Sequence, residues 1–233
     1  MVADELKSKV KVCMFDQYGT VVDMQTGLVK VATPFLRAKG WQGNPNSFVT
    51  WWRRTHFENS MIDALLHREH TPYREIGERS VAYVMDRAGI SYSMEEVRAL
   101  VDNIVRLRPF PEVPAALDRL RTRYRLVVLS NGDPDMLEAA KQYHGIAFER
   151  AISVAEANSF KPHVATYTKA AEIAGVRMDE VLFIANHAFD CIGAKAAGMR
   201  TAFIDRRQRP FGATPHQPDL LVPSMTALAD AIA

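Results

Sequence analysis

Only two cysteines, Cys13 and Cys191, occur in 233 residues. That is too few for a disulfide framework, and both sit in apolar-patterned segments, which fits a reducing cytoplasm. Neither has a basic partner nearby in sequence, so neither reads as catalytic. Long hydrophobic runs are missing as well. The first apolar run, residues 10–15, is far shorter than a membrane span and no small-residue cleavage site follows it, so it reads as a buried strand. An excess of one charge is also absent: 29 Lys and Arg stand against 27 Asp and Glu, for a formal net charge of +2. The basic residues are dispersed, which leaves no electrostatic case for nucleic acid or an anionic membrane as partner. No internal repeat or low-complexity segment interrupts the chain.

What is present suits a folded globular protein. With 48% hydrophobic and 24% charged residues, the chain can build one sizeable core and a smaller subdomain. Short apolar runs at 10–15, 126–129, 151–154, 181–184, 201–204 and 220–222 are bounded by turn residues. Helix-patterned stretches at 115–124, 136–143, 164–174, 191–197 and 226–232 separate most of them. This alternation predicts an α/β fold, a doubly wound parallel sheet covered on both faces. Residues 26–107 break the pattern, being rich in Leu, Ala, Arg and Glu with helical periodicity, and read as a helical insertion. Residues 1–25 and 108–233 then form the core domain. Pro109, Pro111 and Pro114 punctuate the return, with Pro111 or Pro114 starting the next helix. Long loops are expected at 40–46 and 206–218.

Ligands of open α/β sheets sit outside the carboxyl ends of the strands. Three runs end there in polar clusters: Asp16-Gln17-Tyr18-Gly19-Thr20, Ser130-Asn131-Gly132-Asp133, and Ala185-Asn186-His187-Ala188-Phe189-Asp190. A fourth polar element, Lys161-Pro162, precedes the helix carrying Tyr167. Each piece alone has a structural explanation as a cap, a turn or a solvated lysine. Four converging on one sheet edge favour a site.

These motifs, Phe15-Asp16-x-Tyr18-Gly19-Thr20, Leu129-Ser130-Asn131-Gly132, Lys161-Pro162 with Tyr167, and a final Asp190, together resemble the haloacid dehalogenase superfamily. More narrowly, the set resembles the type II 2-haloacid dehalogenases. The likeness spans nearly the whole chain and implies a Rossmann-like core in which residues 26–107 are a helical cap. It also implies a cytoplasmic homodimer.

Most members of that superfamily transfer phosphoryl groups, so a phosphatase, or another hydrolase acting on a small carboxylate, is the alternative. Phosphoryl transfer needs Mg²⁺ held by oxygen ligands including carboxylates. The phosphatase pattern has an Asp two residues after the nucleophile and an acidic residue four before the last Asp. Here these positions are Tyr18 and Asn186, so no metal and no cofactor is expected and carbon is favoured over phosphorus as the electrophile.

The resemblance implies that Asp16 displaces halide from a small anionic 2-haloacid with inversion, and that water then opens the resulting ester. It assigns Ser130 and the backbone amides near Gln17 and Tyr18 to the substrate carboxylate, Lys161 to charge compensation, and Thr20 to orienting Asp16. Arg53, in Trp52-Arg53-x-x-x-x-Glu58, matches the cap helix and would hold the departing halide opposite Asn131. Arg54 beside it raises the plainer reading that this is a solvated face. Tyr167 also belongs to the implied binding set. Phe57 and Phe189 would wall the pocket, although aromatics at helical spacing are more often plain core. Ala185 and His187 depart from the family's Ser and Asn. His187 is therefore expected to hydrogen-bond to Asp190 and help activate water; the alternative is a structural histidine, with Asp190 as the base.

Overall fold

A computed structural model describes residues 2–66 and 69–233. In chain order its elements are α1 (Val2–Lys9), β1 (Val12–Phe15), α2 (Met24–Ala38), α3 (Pro45–Leu65), α4 (Tyr73–Arg87), α5 (Met94–Val101), α6 (Val113–Leu120) and β2 (Arg125–Ser130). Then follow α7 (Pro134–His144), β3 (Arg150–Ser153), α8 (Val164–Ala174), β4 (Val181–Ala185), α9 (Ala188–Ala196), β5 (Arg200–Ile204), β6 (Leu220–Val222) and α10 (Met225–Ile232). The six strands form one parallel sheet in the order β3-β2-β1-β4-β5-β6. Flanking helices cover it, as the alternation of runs predicts.

Every residue of β1 and β4 is buried. A parallel strand covered on both faces reads as a continuous apolar run rather than an alternating one, which is why these segments show so plainly in the sequence. The register pairs Phe15 with Val128 on one side and Ile184 on the other. Asp16 is thus the first residue beyond the central strand. Strand order reverses between β1 and β4, and the crevice at such a reversal is where open α/β sheets bind ligands.

Local boundaries differ from the sequence reading where capping overrides periodicity. The first strand begins at Val12, and α1, which the periodicity does not reveal, precedes it. The helix expected from residue 191 begins at Ala188, with His187 at its N-cap. Asp190 therefore lies inside the first turn rather than capping it.

Between β1 and α6 the chain forms four helices and a short 3₁₀ turn. In α2 the buried residues Met24, Leu28, Ala32 and Leu36 recur every four positions and make one apolar stripe, while Asp23 caps the start by accepting from Thr26 N at 3.1 Å. Two contacts tie this insertion to the sheet. Its entry and exit pair with each other, Asp23 N donating to Arg108 O and Phe110 N to Val21 O, at 2.9 and 3.1 Å. The Asp133 carboxylate accepts from Tyr73 N and Arg74 N at 2.8 and 2.9 Å, satisfying the open amides at the start of α4. Among the described residues, no helix is long and apolar enough to cross a membrane.

Candidate active site

At the carboxyl edge of β1 and β4, under α3, lies a cavity of about 510 Å³. Asp16, Tyr18, Arg53, Phe57, Asn131, Lys161, His187 and Phe189 line it, so eight of the thirteen residues expected from sequence face one space. The other five do not. Thr20, Ser130, Asp190 and Tyr167 are buried behind the wall, and the Gln17 side chain lines a separate small cavity.

Lys161 is the centre of the arrangement. Its Nζ donates to Asp16 Oδ1 at 2.8 Å, Asp190 Oδ2 at 2.7 Å and the Leu129 carbonyl at 3.2 Å, so all three protons have acceptors. Lys161 is only 2% exposed and Asp190 0%, so the ammonium lies between two desolvated carboxylates. Burial alone would raise the Asp16 carboxyl, but Lys161 and then His187 outweigh it and hold Asp16 below the usual carboxylate range. Burial also opposes the charge on Lys161, yet the two carboxylates keep its ammonium above the ordinary lysine value. Asp190 is shifted upward, chiefly by burial.

The remaining contacts fix these groups. Thr20 Oγ1 donates to Asp16 Oδ2 at 2.7 Å and accepts from Asn186 N at 2.9 Å. Tyr167 Oη donates to Asp190 Oδ1 at 2.6 Å, so this tyrosine serves Asp190 rather than a ligand. Asn131 Oδ1 accepts from Lys161 N at 3.1 Å, which leaves its amide N–H groups for the cavity. Ser130 Oγ accepts from Gly132 N at 3.2 Å, off the cavity wall. Among the described residues, the backbone N–H groups of Gln17 and Tyr18 have no acceptor. Gly19 has φ +94°, and a Cβ there would stand 2.8 Å from His187 Cε1, so the tight turn after Asp16 needs glycine.

His187 is placed differently from the sequence expectation. Both carboxylate oxygens of Asp190 are taken, by Lys161 and Tyr167, on the buried side of α9. His187 at the N-cap instead turns to Asp16, with Nδ1 3.4 Å from Oδ2. Phe189 packs 4.1 Å from Phe57, centroid to centroid, and closes that side. On the other side Tyr18 stacks on Tyr73 at 5.9 Å and 5°. Arg53 reaches in from α3, its Nη1 donating to Gln25 Oε1 at 2.8 Å, whereas Arg54 turns to solvent and Glu58.

A divalent cation does not fit this donor set. An ammonium already bridges the two carboxylates, and Asn186 donates its Nδ2 to the Gly19 carbonyl at 3.0 Å. The position two residues after Asp16 carries a phenol that burial keeps protonated.

Sequence reasoning misses several wall residues. Tyr73 and His56 come from distant helices and carry no local signal. Arg207 and Arg209 follow the end of β5, where the strand-end rule would have found them.

Comparison with known proteins matches this geometry. The model of a family of haloacid dehalogenase-like hydrolases matches residues 10–198. Haloacetate dehalogenase H-2 of Moraxella sp. (strain B) is 29% identical over 97% of this chain and 99% of its own length. The (S)-2-haloacid dehalogenase of Xanthobacter autotrophicus is 32% identical over 84% of this chain and 76% of its own. A solved structure of L-2-haloacid dehalogenase from Xanthobacter autotrophicus, with chloropropionic acid covalently bound, superimposes with a TM-score of 0.82 at 28% identity. It covers 95% of this chain and 97% of that one. The chain belongs to the haloacid dehalogenase-like hydrolase family.

Proposed function

We propose that this protein hydrolyses the carbon–halogen bond of a short L-2-haloacid, with Asp16 as the nucleophile. The observation that carries the reading is a buried carboxylate, held ionised by a lysine bridge, facing a cavity walled by aromatic rings and an arginine. A desolvated carboxylate is a stronger nucleophile than a hydrated one, and the cavity presents it to a substrate carbon.

In the first step an Asp16 oxygen attacks C2 from the side opposite the halogen. The new C–O bond forms as the C–X bond breaks, the electron pair leaves with the halide, and C2 is inverted. The guanidinium of Arg53 and the amide of Asn131 meet the halide as its charge develops. The unspent N–H groups of Gln17 and Tyr18 are the donors for the substrate carboxylate. In the second step water adds to the Asp16 carbonyl. Lys161 and Thr20, each at one carboxylate oxygen, stabilise the charge that develops there. His187 stands beside that carbonyl and takes the proton from water, while Asp190 and Tyr167 hold Lys161 in position. The ester C–O bond at the acyl carbon then breaks, and the leaving oxygen takes the proton back from His187. A D-2-hydroxyacid is released as Asp16 loses its own proton and returns to the carboxylate.

By family likeness alone, we extend the proposal to a cytoplasmic homodimer whose residues 26–107 act as a cap over the core formed by 1–25 and 108–233.

The test is to incubate pure protein with chloroacetate, L-2-chloropropionate and a phosphate monoester, measuring halide and phosphate with and without EDTA. Halide release that EDTA leaves unchanged is expected. Magnesium-dependent phosphate release without halide would reverse the reading.

A further inference from the structure

Among Lys, Arg, Asp and Glu side chains, five cations but a single carboxylate line the cavity: Arg53, Arg54, Lys161, Arg207 and Arg209 against Asp16. Lys161 is engaged with Asp16 and Asp190, and Arg54 with Glu58. No carboxylate among the described residues pairs with Arg53, Arg207 or Arg209. The mechanism above uses Arg53 and leaves the other two without a task.

Their position is built rather than incidental. Both lie on the loop after β5, and Arg206 between β5 and these residues anchors it. Arg206 Nη2 donates to the Thr20 carbonyl at 3.1 Å, its Nη1 pairs with Glu112, and its guanidinium lies 3.9 Å from the Phe110 ring centroid. Arg209 N donates to Asp205 Oδ1 at 3.0 Å. The loop is thereby fastened to the segment that carries the nucleophile. Arg207 is also near enough that its charge, after burial, disfavours the protonated form of Arg53. Arg53 and Arg207 repel one another unless an anion joins them, and Arg209 adds a third guanidinium to the wall of the same cavity.

Size points the same way. A cavity of about 510 Å³ falls in the range of roughly 300–1,000 Å³ that takes ligands larger than a three-carbon acid. One carboxylate and one departing halide give Arg53 and the backbone amides their partners. A second anionic group on the substrate would occupy the mouth.

We propose that the substrate is a 2-halodicarboxylate, whose second carboxylate is bound by Arg207 and Arg209. This deepens the dehalogenase reading and rests on it. The chemistry is unchanged: halide leaves as the Asp16 ester forms, and water then releases a 2-hydroxydicarboxylate.

The experiment compares halide release from L-2-chlorosuccinate and L-2-chlorobutyrate, which differ at the end of the chain in charge, in the wild type and in the Arg207→Ala/Arg209→Ala variant. Both arginines are exposed, so the variant retains the fold. The wild type is expected to prefer chlorosuccinate in kcat/KM. That preference should fall about tenfold or more in the variant, since hydrogen bonds to charged groups contribute roughly 1.5–3 kcal/mol. Succinate should inhibit chloropropionate turnover competitively in the wild type, and more weakly in the variant. A wild-type preference for chlorobutyrate overturns the inference. So does an equal loss for both substrates, which would mean long-range steering only. If chloropropionate is dehalogenated but chlorosuccinate is not, the inference fails and the dehalogenase reading stands. If no haloacid releases halide, both fail.

Discussion

Replacing Lys161 by methionine probes the centre of the site. The ammonium lies 2.8 Å from one carboxylate and 2.7 Å from another, and all three groups are buried. At an effective dielectric constant of about 20, unit charges some 4 Å apart already interact by about 4 kcal/mol, so the two attractions offset a desolvation cost of several kcal/mol per ion. Methionine fills similar volume but leaves two buried carboxylates facing each other. Breaking such a pair costs about 3–5 kcal/mol, because the remaining charge is uncompensated. The protein responds by taking up a proton. Without Lys161, burial raises the Asp16 carboxyl, and the repulsion between Asp16 and Asp190 raises the pair further.

The sign of the pH dependence follows from that reversal. In the wild type, Asp16 is depressed below its reference value of 3.8, so its contribution to stability is present above that pH and is lost on acidification. In the variant a raised carboxyl is protonated when folded and ionised when unfolded, so stability is lost as pH rises above 3.8. The gap between the two proteins should therefore widen from pH 4 to pH 7 in urea unfolding. Ester formation should be slowed at pH 7 to the extent that the raised Asp16 carboxyl is protonated, and recover by up to about tenfold per pH unit as pH rises. Rapid-quench measurement of the halide burst reads this directly. A burst rate that stays high and independent of pH in Lys161→Met would refute the charge-bridge argument.

Other perturbations separate the remaining roles. Arg53→Ala should slow halide release by a barrier of about 3 kcal/mol, whereas Arg54→Ala, whose side chain is 77% exposed, should change it little; equal effects in steady-state and burst kinetics would move the halide site elsewhere. His187→Ala should form the Asp16 ester but open it slowly, so intact-protein mass spectrometry should show a persistent adduct of one 1-carboxyalkyl group from the substrate. Normal turnover without adduct would leave His187 a structural cap. His56 is fully buried with its Nε2 beside the Tyr73 carbonyl at 2.9 Å, and burial pushes it down to about 3 from 6.5. Its neutral form is native, so stability should fall between pH 6.5 and about 3 by up to 1.4 kcal/mol per pH unit, and His56→Phe should flatten that part of a thermal-unfolding series.

Much of the architecture is written locally. Strands buried on both faces must be apolar throughout, so residues 126–129 and 181–184 declare themselves without any knowledge of their neighbours. The polar residues after them mark the ligand edge for the same reason, because a chain leaving a buried strand of a parallel sheet emerges at one known end. Asp16 and Asn131 were legible on that basis, Lys161 as a polar element before a helix, and Tyr18 and Asn186 as substitutions within a motif. Helix starts were less so, since α9 begins three residues earlier than its apolar pattern, at a cap set by backbone geometry.

Tertiary structure alone decided the partners. Asp190 and His187 are three residues apart in sequence, yet one points inward to Lys161 and Tyr167 while the other faces Asp16. No periodicity encodes that difference, which comes from the rotation of the first turn of α9 against β4. Likewise, Tyr73, Arg53 and Arg207 reach one cavity from three elements far apart in the chain. Their meeting depends on how the helical insertion and the loop after β5 pack over the sheet, because burial selects a residue's side of an element from local pattern but only packing selects what lies opposite it.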